Sequence, residues 1–406
     1  MLTPEYLYRI TEGAEDIASQ LHKNILDKII ARMMARIGRG EDYLLTATDK
    51  WQIEVLQEAG YLLEDIQQEL SDKTKKQVQE IKEAMEEAGV TALQWDDKIY
   101  QAAGLSPVPL LQSPALIRIM QRNYEATAGE WRNFTRTTAN EAQRLFINQM
   151  DNAYNMVTSG AVSYTEAVRD VLKEVSNTGL KVNYPSGYKM SIEADTMMIL
   201  RTGISQASAE VSMERMKEMD WDIILVSSHL GARIGDGGQN PGNHSWWQGK
   251  FYSRNGRDKE FPDFVSSTGY GTVTGLCGAN CRHSFGPGDG ENNPFEQYET
   301  EKNRKVYEMQ QRQRALERKV RDTKRKLQNL QTAIDNCQDE KLKFELQQDF
   351  DKKSYLLKKQ NAAYKQYCEE NNLKPYNERL QVAKWNREQA MKAVCAARRY
   401  QNVKGE

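Results

Sequence analysis

Proline is scarce in this chain, at 10 of 406 residues, and cysteine is scarcer still, at five. So little proline excludes a Pro-rich disordered chain. The cysteines are Cys277, Cys281, Cys337, Cys368 and Cys395. An odd count in a long chain is no disulfide scaffold and points to synthesis in a reducing cytoplasm. Neither sign of charge dominates: 56 Lys and Arg stand against 57 Asp and Glu, for a formal net charge of −1. That balance excludes binding nucleic acid through bulk positive charge. No apolar run approaches the ~18 residues that a membrane span needs. The start, Met1-Leu2-Thr3-Pro4-Glu5, has neither a basic segment nor an apolar stretch after it, so no secretory signal is expected. No phosphate-cradling loop and no Gly-x-Ser-x-Gly elbow occurs.

What the chain does have is helical periodicity. Hydrophobic residues make up 39% and charged residues 28%, with a mean hydropathy of −0.76. This composition suits long solvated helices better than one thick core. The predicted fold class is mainly α: long helices and a C-terminal helical hairpin around a small loop-rich α+β module. Four regions are expected: a helical 1–105, a helical 106–220 with a short hairpin, a His/Cys-containing module at 221–294, and a charged hairpin with a final helix at 295–406. Thr3 before Pro4 reads as a helix N-cap, and Leu7, Ile10, Ile17, Leu21, Ile25 and Ile29 make an amphipathic stripe that Gly38-Arg39-Gly40 ends. A second stripe runs from Trp51 to Leu70, and a third, through Ile81 and Met85, is closed by Gly89. Ser163-Tyr164-Thr165-Glu166 is a capping-box pattern. Val182-Asn183-Tyr184 and Tyr188-Lys189-Met190 around Pro185-Ser186-Gly187 read as a short hairpin, and Ile223-Ile224-Leu225-Val226 as a buried strand. Leu316, Val320, Thr323, Leu327, Leu330 and Ile334 step as in a heptad seam, and the polar 336–340 stretch can turn the chain into a second stripe.

Between Val226 and Asn293 the helical period disappears. Three of the four histidines and two of the cysteines fall there. Cys277-Gly278-Ala279-Asn280-Cys281-Arg282-His283, with His229 and His244 upstream, offers five metal donors for four places. Zinc suits them, because it prefers thiolate and imidazole and because a module without an obvious apolar core gains stability from a metal. Three other readings stand beside it. The residues can simply pack and hydrogen-bond in a glycine-rich turn. Cys277 and Cys281 can form a disulfide once outside the cell. Histidines with Asn280 and Arg282 can serve a metal-dependent nuclease or hydrolase; Asp236, Asp258 and Asp263 lie nearby, but in loops and at no recognisable paired spacing. Trp246-Trp247-Gln248-Gly249-Lys250 can stack on bases or, as favoured here, supply core to the module. After the module, eleven basic residues between Lys302 and Lys326 face three acidic ones. Arg312, Arg314, Arg318, Lys319, Arg321, Lys324 and Arg325 are the candidates for phosphate contact, with a solvated coiled-coil exterior as the commoner use of such a run.

Several ordered motifs in this block resemble one family. Ser227-Ser228-His229-Leu230-Gly231-Ala232-Arg233, His244, Trp247-Gln248-Gly249-Lys250, Thr268-Gly269-Tyr270-Gly271 and Gly275-Leu276-Cys277-Gly278-Ala279-Asn280-Cys281-Arg282-His283-Ser284 are similar to the signature of the phage minor capsid protein 2 family, which is related to head morphogenesis proteins of the Mu F type. The resemblance extends upstream through Tyr184-Pro185-Ser186-Gly187 and Arg201-Thr202, and downstream through the charged hairpin. It implies a non-enzymatic virion protein of a tailed phage or prophage, made in the bacterial cytoplasm and present in few copies. Its implied partners are the portal protein and other head proteins, with packaged DNA as a further candidate and no membrane. One departure is the long, glycine-rich spacer from Ile234 to Asn243, which sets His229 apart from His244. A protein ejected with the genome is the remaining alternative.

Overall fold

The computed structural model describes residues 1–46, 51–183 and 187–404. Twelve α-helices follow in chain order among them. α1 (Pro4–Ile10), α2 (Glu12–Ile37) and α3 (Glu41–Thr46) precede the 52-residue α4 (Trp51–Ala102) and the 45-residue α5 (Pro114–Thr158). α6 (Tyr164–Thr178), α7 (Ile192–Glu218), α8 (His244–Trp247) and α9 (Phe264–Thr268) come next, and α10 (Thr300–Asp335), α11 (Glu340–Glu370) and α12 (Arg387–Lys404) close the chain. The strands are short: β1 (Lys181–Asn183), β2 (Lys189–Ser191), β3 (Ile223–Val226), β4 (Phe251–Ser253) and β5 (Phe285–Pro287). All described strands thus lie within 181–287, inside a mainly α protein.

The local signals work by the means their chemistry suggests. Thr3 caps α1, its side chain accepting from the Tyr6 N–H with Pro4 at the first position. Ser163 caps α6 by accepting from the Glu166 N–H. α6 then buries Val168, Val171, Leu172 and Val175 on one face. β1 and β2 pair antiparallel with Val182 opposite Met190; the Tyr184-Pro185-Ser186 turn between them lies outside the described residues. Gly89, however, does not end a helix. α4 runs through it to Ala102, because a glycine inside a helix costs only about 1 kcal/mol, and here it makes room: a Cβ would stand 3.2 Å from Leu110 and 3.3 Å from the Met120 sulfur.

The described chain forms two compact units, each assembled from three separated stretches: 1–15, 74–133 and 194–311 in one, 16–73, 134–193 and 312–406 in the other. Their boundaries fall inside long helices. The first unit holds two apolar clusters. One gathers Leu7, Ile81, Met85, Leu116, Leu200 and Ile204 from α1, α4, α5 and α7. The other gathers Tyr100, Met216, Ile224, Trp247, Phe264 and Phe285 around the small sheet. That sheet has the order β4-β3-β5 and is antiparallel throughout, with Leu225 opposite both Phe251 and Gly286.

In the second unit α10 and α11 form the antiparallel hairpin. Gln313 on α10 meets Cys368 on α11, and one turn further Glu317 meets Tyr364. Asp339 in the turn caps α11 by accepting from the Leu342 N–H. The chain then returns along α10 as a strap that includes one 3₁₀ turn, Asn377–Leu380. Side chains of α10 donate to its carbonyls in order: Gln313 to Lys374 (2.8 Å), Arg321 to Arg379, Lys324 to Leu380 (2.7 Å) and Gln328 to Ala383 (2.8 Å). These donors satisfy carbonyls that the short turn and the loops beside it leave unpaired. A buried polar group also marks this unit: Glu193 accepts from His22 Nδ1 at 2.7 Å and pairs with Arg325 at 2.9 Å.

Candidate metal centre

The sheet register explains why three distant segments meet. β3 is central, and both partners run antiparallel to it. The residues just before β4 and just before β5 therefore arrive at the end of β3 that leads to His229. The pairing extends past the strands: the Ser227 N–H donates to the Ser284 carbonyl at 2.9 Å, and the Gly249 N–H to the Ser227 carbonyl at 3.3 Å. His283 and the α8 segment His244–Gln248 are thereby brought to one end of the sheet.

Among the described residues, the one group of side chains arranged to share a cation is His244, Cys281 and His283, all buried. Cys281 Sγ lies 3.8 Å from His244 Nδ1 and 3.7 Å from His283 Nδ1. The opposite ring nitrogens are fixed by acceptors. His244 Nε2 is 2.8 Å from the Thr274 carbonyl, and His283 Nε2 is 2.9 Å from Gln248 Oε1. A carbonyl oxygen can only accept, so Nε2 carries the proton on His244. Gln248 Oε1 also accepts from the His229 N–H at 3.0 Å, which orients the amide and puts the proton on Nε2 of His283. Both Nδ1 lone pairs are thus left facing the Cys281 sulfur. The His283 backbone N–H points at the same sulfur from 3.4 Å.

Burial governs the protonation states. It lowers His244 to about 4 and holds His283 well below the ordinary imidazole value, with nearby His and Arg233 charges adding to the effect. It raises the Cys281 thiol to about 11, partly offset by backbone N–H groups and Arg233. The three donors are neutral at pH 7 without a cation; a bound divalent ion would favour the thiolate outright.

The other two predicted donors have different places. His229 is half-buried and stacks on His283, ring centroids 4.4 Å apart and planes 25° from parallel. Cys277 is a buried member of the apolar cluster, its thiol near the Ser205 hydroxyl and 3.7 Å from the His283 carbonyl. Both Cys277 and Cys281 are free thiols. The turn is tight, and its glycines provide close approach, not positive φ. Cys277 and Asn280 take the left-handed conformation, each at φ 58°. Gly275 and Gly278 are needed for close backbone approach: a Cβ on Gly275 would sit 2.2 Å from the Gly269 carbonyl oxygen, and one on Gly278 2.4 Å from that of Val273.

The signature residues mostly build this pocket. Trp247 is fully buried, donates its indole N–H to Pro241 at 2.9 Å, and lies 4.5 Å from the His244 ring and 4.8 Å from that of His283. Gly249 takes φ +64° beside Ser228. Lys250 extends over Trp246, 5.8 Å from the ring centroid. Arg233 donates to the Ala279 carbonyl at 2.8 Å; Asn280 is exposed and Arg282 half-buried. One residue escaped sequence reasoning. Asn303 on α10 is fully buried and clamps the loop after His229, accepting from the Gly231 and Ala232 N–H groups and donating to the Ala232 carbonyl. It stands at the start of a basic run that drew attention to charge alone.

The basic candidates on α10 divide. Lys324 is buried, Arg321 donates to the strap, and Arg325 pairs with Glu193. Arg312, Arg318 and Lys319 are exposed, and Arg314 is half-buried.

The profile of the phage minor capsid protein 2 family matches residues 2–369, and the chain belongs to that family. A structural protein of Lactococcus phage LL-H is 27% identical over 202 residues, which span 47% of this chain and 52% of that protein. The chain therefore aligns with about half the length of this curated relative. No solved structure matches the chain. No described helix is long and apolar enough to cross a membrane.

Proposed function

We propose that this minor capsid protein is a non-enzymatic component of a tailed-phage head, assembled in the bacterial cytoplasm and bound to the portal and neighbouring head proteins. The observation that carries the reading is the family match along nearly the whole chain. The architecture supports it: α4 and α5 are far longer than ordinary globular helices, and such elements suit surfaces buried in an assembly. The cation-competent cluster includes no carboxylate to act as a general base, which favours a structural role over a nuclease. DNA contact is the weaker reading, because Arg321, Lys324 and Arg325 are engaged within the protein.

The test is co-expression with the portal protein of the same phage, followed by size-exclusion chromatography and a cleavage assay on DNA and RNA with Zn²⁺, Mg²⁺ or Mn²⁺. A stable complex without cleavage is the expected result. Robust cleavage that is abolished by His283→Ala overturns it in favour of a hydrolase. Strongly salt-dependent DNA binding, lost on charge reversal of Arg312, Arg318 and Lys319, favours a DNA-binding role instead.

A further inference from the structure

We propose that the module binds one thiophilic divalent cation of the zinc class through His244 Nδ1, Cys281 Sγ and His283 Nδ1, and that this ion ties α8 to the Cys277–Ser284 turn. Nothing in family membership assigns such a site, and the proposal stands or falls independently of where the protein sits in the virion.

Three independent observations support it. The first is spacing. Bonds of ~2.3 Å to sulfur and ~2.0–2.1 Å to nitrogen at a tetrahedral centre put donors roughly 3.4–3.6 Å apart. The observed Sγ–Nδ1 separations of 3.7 and 3.8 Å need only a few tenths of an ångström of contraction, and all three donor atoms lie within 4.8 Å of one another. The second is orientation. Each imidazole presents its lone pair to the common centre because its other nitrogen is held by an acceptor, the Thr274 carbonyl for His244 and Gln248 Oε1 for His283. This is the outer hydrogen bonding that metal-ligating histidines have. The third is the thiol's setting. Cys281 Sγ receives the His283 backbone N–H at 3.4 Å, a further donor aimed at the sulfur.

The donor set is one thiolate and two imidazoles. Cys277 falls outside it: its thiol lies by the Ser205 hydroxyl and the His283 carbonyl, and its sulfur does not join the group of mutually close donors. His229 lies against the face of the His283 ring, where it covers a ligand. A fourth position is then left for water or another small donor. Soft sulfur with two nitrogens selects zinc over the oxygen-preferring magnesium and calcium.

The experiment uses the full chain, stripped with a chelator, dialysed and loaded with Zn²⁺ or Co²⁺. We expect one equivalent of zinc by elemental analysis. The cobalt form should show a thiolate-to-metal charge-transfer band with the intensity of a single thiolate. Cys281→Ser should abolish the band, whereas Cys277→Ser and His229→Ala should retain it with one metal per chain. Because Cys281→Ser can destabilise the module, the wild-type cobalt spectrum serves as the second measure: its intensity counts thiolates without any variant. Failure of the wild-type chain to take up either metal overturns the proposal. So does a band of two-thiolate intensity, loss of metal in Cys277→Ser, or a band that survives Cys281→Ser.

Discussion

A methyl group added at Gly275 should unfold the module's turn, while the same methyl added at Gly129 should stabilise the same unit. The Gly275 Cβ would stand 2.2 Å from the Gly269 carbonyl oxygen, 2.5 Å from its carbon and 2.7 Å from the Thr268 oxygen. All three are backbone atoms, so no side chain can swing away. Relief requires parting the turn from the end of α9, which breaks the Leu276 N–H bond to Thr268 (3.0 Å). Overpacking of this kind costs about 1–3 kcal/mol, and the lost hydrogen bond adds about 1. Gly129 lies inside α5, is exposed, and has nothing within 4 Å of its Cβ direction. Gly129→Ala there should gain about 0.8–1.0 kcal/mol of helix propensity. At roughly 2–4 °C per kcal/mol for a unit of this size, Gly275→Ala should melt about 4–16 °C below the parent and Gly129→Ala about 2–4 °C above it. Calorimetry of the full chain, with limited proteolysis to locate the loosened segment, reads both. A Gly275→Ala protein that melts with the parent and keeps a protease-resistant turn refutes the close-approach argument.

Arg325→Met should cost about 3 kcal/mol in the second unit, because it leaves the buried Glu193 carboxylate with His22 alone; chemical denaturation measures it. Burial by itself would raise Glu193, but His22 and Arg325 outweigh it and hold the carboxyl far below the usual range. Its contribution is therefore fully present above the ordinary glutamate pKa of about 4.3 and fades as pH falls below it. Glu193→Gln should flatten that acid-side decline, and an unchanged pH profile would count against the triad. Lys324 is lowered to about 8, first by burial and then by Arg321. Between pH 8 and the ordinary lysine value of about 10.4, the folded chain sheds this proton before the unfolded one, so stability should rise with pH. That rise should be smaller in Lys324→Met, as read from denaturation midpoints across the range. Trp247→Ala removes a fully buried ring set against two histidines and should cost about 3–5 kcal/mol; near-parental stability would show that the ring is not core.

Much of the helical architecture was legible because its signals are local. Thr3-Pro4 and Ser163 with Glu166 act through hydrogen bonds three residues away. The strand at Ile223–Val226 and the hairpin turn after Asp335 were visible for the same reason. Gly89 misled because a helix signal cannot show what lies beside it; the nearby Leu110 and Met120 side chains occupy the space that a larger residue would fill.

By itself, the sequence determined a mainly α chain, the position of the His/Cys module and the pool of five donors within it, since composition and periodicity act over one or two helical turns. Only the tertiary structure decided which donors meet. His244 lies 37 residues from Cys281, and their approach depends on β4 and β5 both pairing antiparallel with β3. Cys277 and Cys281 look equivalent in sequence and share one apolar cluster, yet only the Cys281 sulfur joins the two histidines, while the Cys277 thiol approaches the His283 carbonyl at 3.7 Å. The basic run on α10 carries the same lesson. Its charge was countable, but only packing separated Lys324 and Arg325, which hold the strap and Glu193, from Arg312, Arg318 and Lys319, which face solvent. Spacing along a chain reports which groups share a helical turn; which groups share a pocket is set by contacts between segments far apart in sequence, and those exist only in the folded state.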